Sequence, residues 1–183
     1  MLTELLQRKA KRVFDCYDAN GDGVITVEDF FLMGNRMCEA MSVAEGSQAY
    51  NTVIRRYQLV WERLAVAADT NMDGEVSLAE WLVWYEALIN SEDAYQAHRT
   101  EFFEQGFKAL DVNNDGYMSY DEYKLSLKAY NVDASEDEIK EAFAIMDMDG
   151  DGVISKDEME RLFDQFYHSN DPQAPGNFML VKF

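Results

Sequence analysis

Four twelve-residue segments of this chain share one layout, at 18–29, 69–80, 111–122 and 147–158. Each opens on aspartate, carries Asp or Asn at its third and fifth positions and Gly at its sixth, and closes on an acid. Such a segment has few ways to fold. Crowded carboxylates repel one another unless a cation sits among them, and the glycine permits the sharp turn that brings the first and last acids together. The segment must therefore wind around a positive charge, with the flanking chain leaving as helices. The fourth is the most acidic, with Asp147, Asp149, Asp151 and Glu158 all at donor positions.

Calcium takes six to eight oxygen ligands at about 2.3–2.6 Å, and the layout matches the calcium loop of EF-hands. In the first loop Asp18, Asn20, Asp22 and Thr26 offer side-chain oxygens, Val24 its carbonyl and Asp29 the closing carboxylate. The second offers Asp69, Asn71, Asp73, the Glu75 carbonyl, Ser77 and Glu80. The third offers Asp111, Asn113, Asp115, the Tyr117 carbonyl, Ser119 and Glu122. The fourth adds the Val153 carbonyl and Ser155 to its four acids, so up to four Ca²⁺ ions are expected. One position departs, because Asp29 stands where the pattern asks for Glu. Aspartate is one methylene shorter and reaches an ion less easily with both oxygens, and lower coordination suits Mg²⁺. The first loop is expected to hold metal, to prefer calcium less and to admit Mg²⁺.

Apolar residues at helical spacing flank every loop. Leu2, Leu5, Leu6, Val13, Phe14 and Tyr17 lead into the first, and Phe30, Phe31, Met33, Met37 and Met41 follow it. A long helix with Ile54, Tyr57, Trp61 and Leu64 enters the second, and Trp81, Leu82, Trp84, Tyr85 and Leu88 leave it. Phe102, Phe103, Phe107 and Leu110 lead to the third, followed by Tyr123, Leu125 and Leu127. Ser135 opens a further helix with Glu138 as its capping-box partner. Met159, Leu162, Phe163, Phe166 and Tyr167 line the last helix, which Pro172 and Pro175 are expected to stop. Met33, Met37 and Met41 share one face, which either fills a core or lines an adaptable groove for a partner. The pattern breaks over 42–47 and over 90–94, the latter a short midpoint connection without Pro or Gly.

Four helix–loop–helix units predict an all-α fold. A single unit leaves an apolar face exposed, so the units pair through their eighth positions, Ile25 with Val76 and Met118 with Ile154. This gives an N-terminal pair in residues 1–90, a C-terminal pair in 91–171 and an apolar tail in 172–183, joined in one compact globule.

A net charge of −19 and a pI near 4.3 argue against nucleic acid or an anionic membrane as partner. Cys16 and Cys38, with no C-x-x-C, fit buried thiols in a reducing compartment. The N-terminus lacks the features of a secretory signal, Leu2 rules out the Met-Gly acylation signal, and no apolar run is long enough to span a bilayer. A soluble, cytoplasmic monomer without a membrane anchor is expected. His98 and His168 are the two histidines, both expected to face solvent or end helices. No Ser-His-Asp or Cys-His arrangement is readable and the acid clusters are committed to metal, so enzyme activity is not expected.

The first ligands fall 51, 42 and 36 residues apart, Asp29 closes the first loop, and the chain after Phe166 is rich in Asn and Pro. In these respects the chain resembles the sarcoplasmic calcium-binding proteins and is similar to calexcitin and calerythrin. The resemblance implies two EF-hand pairs packed face to face and a role in binding cytosolic Ca²⁺ and Mg²⁺. Members often carry one degenerate loop, whereas all four here keep their ligands.

Five of the last six residues are apolar. Burying four or five such side chains is worth on the order of 5–10 kcal/mol before ordering costs. The tail is therefore expected to pack in the apolar groove between the halves, covering the surface a sensor would offer; an exposed docking peptide is the alternative. Three functions follow. The expected one is a buffer of Ca²⁺ and Mg²⁺. The second is a sensor that grips a target protein through Met33, Met37 and Met41. The third is a luciferin-binding or photoprotein-like ligand carrier, a class that resembles this layout but relies on several buried histidines.

Overall fold

The computed structural model describes residues 2–101, 103 and 107–181. Phe102 and Phe183, assigned above to a helix and to the tail, lie outside them. Thr3 caps α1 (Glu4–Tyr17), its hydroxyl accepting the Leu6 amide. After the first loop come β1 (Val24–Ile25) and α2 (Val27–Ala40). The long α3 (Gln48–Ala68) enters the second loop, and β2 (Val76–Ser77) and α4 (Leu78–Ile89) leave it. The second half holds α5 (Glu92–Glu101), α6 (Phe107–Leu110), β3 (Tyr117–Ser119) and α7 (Tyr120–Ala129). It continues through α8 (Glu136–Met146), β4 (Val153–Ser155) and α9 (Lys156–His168) to a 3-10 turn, Pro175–Phe178.

The two-strand ladders form as the eighth positions demand. Ile25 faces Val76 in one antiparallel pair and Met118 faces Ile154 in the other. All four of these side chains are buried, so each ladder joins two loops over an apolar contact.

Two boundaries differ from the sequence reading. The midpoint break is shorter than 90–94, because Ser91 accepts the Ala94 amide at 3.3 Å and α5 starts at Glu92. The last helix ends at His168, before either proline. A side chain from the far end of the sequence explains that stop. Lys9 of α1 is fully buried, and its ammonium donates to the Ser169 carbonyl at 2.8 Å and the Gln165 carbonyl at 3.2 Å. A cation at a helix C-terminus satisfies carbonyls that the helix leaves free. Burial holds the Lys9 amine down at about 8, with Asp171 pulling the other way.

The larger apolar cluster joins Phe14, Phe30, Trp61 and Trp81 to Phe163 and Phe166 of α9, so the last helix packs into the first half. The Trp81 indole donates to the Ala10 carbonyl at 2.8 Å, which satisfies its buried nitrogen. Met33 and Met37 are fully buried and Met41 is half-buried, so this stripe fills core. The second cluster centres on Tyr123, Leu127, Phe143, Met146 and Leu162.

The chain then doubles back over α8 and α9. Gly176 sits so close to α9 that an added Cβ would lie 2.2 Å from the Leu162 carbonyl oxygen. Tyr123 donates to the Phe178 carbonyl at 2.9 Å, and Arg12 of α1 to the Leu180 carbonyl at 3.2 Å. Val181 is buried in the second cluster, and Met179 touches both. Among the described residues no helix is long and apolar enough to cross a membrane.

Candidate metal centres

Each loop begins where a helix gives out, and its first aspartate turns inward over the backbone that follows. Asp18 accepts the amides of Gly21, Asp22 and Gly23 at 2.8, 3.0 and 2.9 Å. Asp147 repeats this with Gly150, Asp151 and Gly152 at 2.8, 3.2 and 2.9 Å. Asp69 takes Met72 and Gly74, and Asp111 takes Asp115 and Gly116. The sixth-position glycines, Gly23, Gly74, Gly116 and Gly152, lie at φ +86° to +95°, where a side chain would be strained. The fifth-position acids, Asp22, Asp73, Asp115 and Asp151, each accept the amide two residues on, at 2.9–3.1 Å. The third-position Asn20, Asn71 and Asn113 each donate to that acid at 2.8–2.9 Å.

The closing acid does two jobs. One of its oxygens accepts the ninth-position amide, from Thr26, Ser77, Ser119 or Ser155, at 2.8–3.0 Å. That contact is half of a capping box, so the twelfth residue starts the exit helix as well as closing the loop. The other oxygen crosses to the loop's start. Glu122 takes the Val112 amide at 2.9 Å, and Glu158 takes that of Met148 at 2.9 Å. Glu80 accepts the Thr70 amide at 3.2 Å. Asp29, a methylene shorter, accepts that of Asn20 at 3.1 Å. Asp29 is wholly buried, and Asp111, Glu122 and Glu158 nearly so.

At two of the closing acids these contacts favour the ionised form. The Ser77 amide and hydroxyl, with the Thr70 hydroxyl, hold Glu80 down at about 2. Burial works to raise Glu158, but the Ser155 amide and hydroxyl and the amides of Met148 and Asp149 outweigh it and leave it below the usual carboxylate range. The ninth-position hydroxyls of all four loops donate to the closing acid at 2.7–2.9 Å.

The donor chemistry fits hard divalent cations. In the fourth loop one oxygen from each of Asp147, Asp149 and Asp151 lies within 4.8 Å of the others, a gathering of charge that a cation relieves. Asparagine at the third position leaves the first three loops one carboxylate fewer.

One residue with chemistry was misplaced by the sequence. His168 is exposed at its helix end, as expected, but His98 faces inward. Its Nε2 lies 2.9 Å from the Tyr167 hydroxyl, and its ring packs against Trp84, Phe163 and Tyr167. Burial pulls it down to about 4, so it is neutral at ordinary pH. The spacing carried a signal, since His98 follows the apolar Tyr95 by three residues, on the same face of a helix. His98 borders two apolar chambers of about 100 Å³ each, which share Tyr17, His98, Tyr130 and Tyr167 as a common wall.

Comparison with known proteins agrees with the loops. A family model described as an EF-hand domain pair matches residues 99–164, and one described as EF hand matches 10–30 and 66–83. The sarcoplasmic calcium-binding protein of Scylla paramamosain is 29% identical over 170 residues, 90% of this chain and 88% of that one. Obelin of Obelia longissima is 25% identical over 174 residues, 92% of this chain and 87% of its own. Among solved structures, the coelenterazine-binding protein of Renilla muelleri superposes with a TM-score of 0.82 at 22% identity, covering 99% of both chains. An amphioxus sarcoplasmic calcium-binding protein does so with 0.69 at 22% identity over the whole of both chains.

Proposed function

We propose that this chain, a calcium-binding EF-hand protein of the sarcoplasmic type, serves as a cytosolic buffer that holds up to four divalent ions. One observation carries the reading: four complete donor sets sit on loops already wound by their own backbone, while the methionines a sensor would expose are buried in the core. Asp18, Asn20, Asp22 and Asp29, with their counterparts in the other loops, would hold the ion. The seventh-position carbonyls would complete each set, and the ninth-position hydroxyls would act through water, being engaged with the closing acids. Bound Ca²⁺ would supply no redox or acid–base chemistry; it neutralises a charge cluster and stiffens the loop. The first loop would carry Mg²⁺ at resting calcium levels. The buried thiols Cys16 and Cys38 support a reducing compartment.

Calorimetric titration with Ca²⁺, with and without millimolar Mg²⁺ and followed by a hydrophobic dye, tests this. Magnesium should compete at one or more sites and calcium should leave dye binding unchanged. Calcium-specific dye binding would instead identify a sensor with a target protein.

A second reading has its own observation. The two interior chambers, walled by aromatic side chains and the neutral His98, would suit a carrier of a small apolar ligand whose release is tied to the ions. The Renilla protein is named for binding coelenterazine, and the chambers bring the idea to this chain. Buffering and carriage are compatible in one molecule.

A further inference from the structure

We propose that Arg36 is a positioning residue that sets the ion preference of the first loop, acting through the Ala19–Asn20 peptide on the closing carboxylate of Asp29. The proposal rests on the buffer reading, in which that loop carries Mg²⁺, and names a residue outside the loop that helps to make it do so.

The geometry is a relay. Arg36 stands on α2 beyond Asp29, and its Nη2 donates to the Ala19 carbonyl at 3.0 Å. The amide on the other side of that peptide, Asn20, donates to Asp29 Oδ1 at 3.1 Å. One peptide group is thus held at its oxygen by a cation and at its N–H by the acid that closes the loop. Hydrogen bonds in series polarise one another, so a guanidinium on the carbonyl makes the amide a stronger donor. The shorter Asp29 stands at 3.1 Å where Glu122 and Glu158 reach their amides at 2.9 Å, so the relay strengthens a contact that the short arm leaves long. The second Asp29 oxygen is engaged by the amide and hydroxyl of Thr26. An acid held at both oxygens gives up one more readily than two, which suits octahedral Mg²⁺ better than the larger shell of Ca²⁺.

Nothing else takes up the charge. Arg36 is half-buried, its Nη1 has no hydrogen-bond partner among the described residues, and none of the ion pairs found among them includes it. A charged donor left buried and unpaired is costly and calls for an explanation. The relay supplies one. The other loops lack it, since the residues at the same offset from their closing acids are Ala87, Ala129 and Gln165. The equivalent carbonyl of the third loop, Val112, accepts the uncharged Asn114 carboxamide at 3.3 Å.

The experiment titrates Mg²⁺ and Ca²⁺ separately into the isotope-labelled full chain. The Gly23 amide resonance reports filling of the first loop apart from the others. Arg36→Met and Arg36→Gln, which both remove the charge, should raise the calcium-to-magnesium affinity ratio of that loop about threefold, and either serves if the other fails to fold. Arg36→Lys keeps a cationic donor and should hold the ratio within about twofold. Before any ion is added, the Asn20 amide should exchange with solvent faster in the uncharged variants, while those of Val112 and Met148 keep their rates. An unchanged ratio, an unchanged Asn20 exchange rate, a ratio that rises as much with lysine, or an uncharged variant that weakens both ions alike overturns the proposal and leaves the buffer reading standing. If neither ion moves the Gly23 resonance of the unaltered chain, the four-ion buffer reading falls with it.

Discussion

The Asp29 carboxylate reaches back nine residues to accept the Asn20 amide at 3.1 Å, while its second oxygen takes the Thr26 amide at 2.8 Å. Glu122 and Glu158 make the same closure with a longer arm and engage the second-position amide as well, and Glu80 takes the second-position amide of its loop. Loop one is therefore closed by a shorter arm. Asp29→Glu should loosen it and favour calcium over magnesium at this site by on the order of tenfold, about 1.4 kcal/mol. Competition calorimetry reads the ratio, and an unchanged ratio would refute the role given to the shorter side chain.

The fourth loop concentrates the most charge. Glu158→Gln removes one negative charge and replaces one carboxylate oxygen with a donor, so the site should lose at least about tenfold in calcium affinity. The variant should also weaken the start of α9, because Glu158 accepts the Ser155 amide at 2.9 Å. Calcium titration against the unaltered chain resolves the lost site.

Gly176→Ala tests the doubled-back segment. The new methyl would meet the Leu162 carbonyl oxygen at 2.2 Å and the Phe166 nitrogen at 2.8 Å, both backbone atoms that cannot step aside. The 3-10 turn should lift from α9, with a loss of about 1–3 kcal/mol and greater binding of a hydrophobic dye. A variant with parental stability and dye response would mean the turn does not cover apolar surface.

His98 sets a pH dependence. Burial lowers it from 6.5 to about 4, so between those values the unfolded chain binds a proton that the folded chain refuses. Stability contributed this way is fully present above 6.5 and is lost as pH falls towards 4. Discounted for partial exposure, the loss is on the order of 2 kcal/mol. Denaturant unfolding of the protein and of His98→Phe across this window should diverge by that amount, the variant losing less. Parallel curves would place the imidazole in solvent.

Local chemistry was readable from the chain and long-range chemistry was not. The loops are legible because each donor is fixed by its offset from the others. Ile25 and Val76 could be paired because eighth positions have one partner in an EF-hand pair. Periodicity told which face of α1 is apolar, but not that Lys9, polar by type, lies on the buried side with the α9 carbonyls opposite. Nor could it say that α9 belongs to the first half's core through Phe163 and Phe166. His98 was misread for the same reason, since a titratable residue on an apolar face is placed only by what packs against it.

Lys9 has one further consequence. It stands on the helix that delivers Asp18 and grips the end of the helix that starts at the fourth loop. Were α9 to move as that loop fills, this contact would carry the shift to α1, and so to the first loop. Whatever factor the fourth ion applies to the first must return unchanged in the other direction. Magnesium resting in the first loop would thus set the calcium concentration at which the fourth responds, and Lys9→Met should uncouple the two titrations.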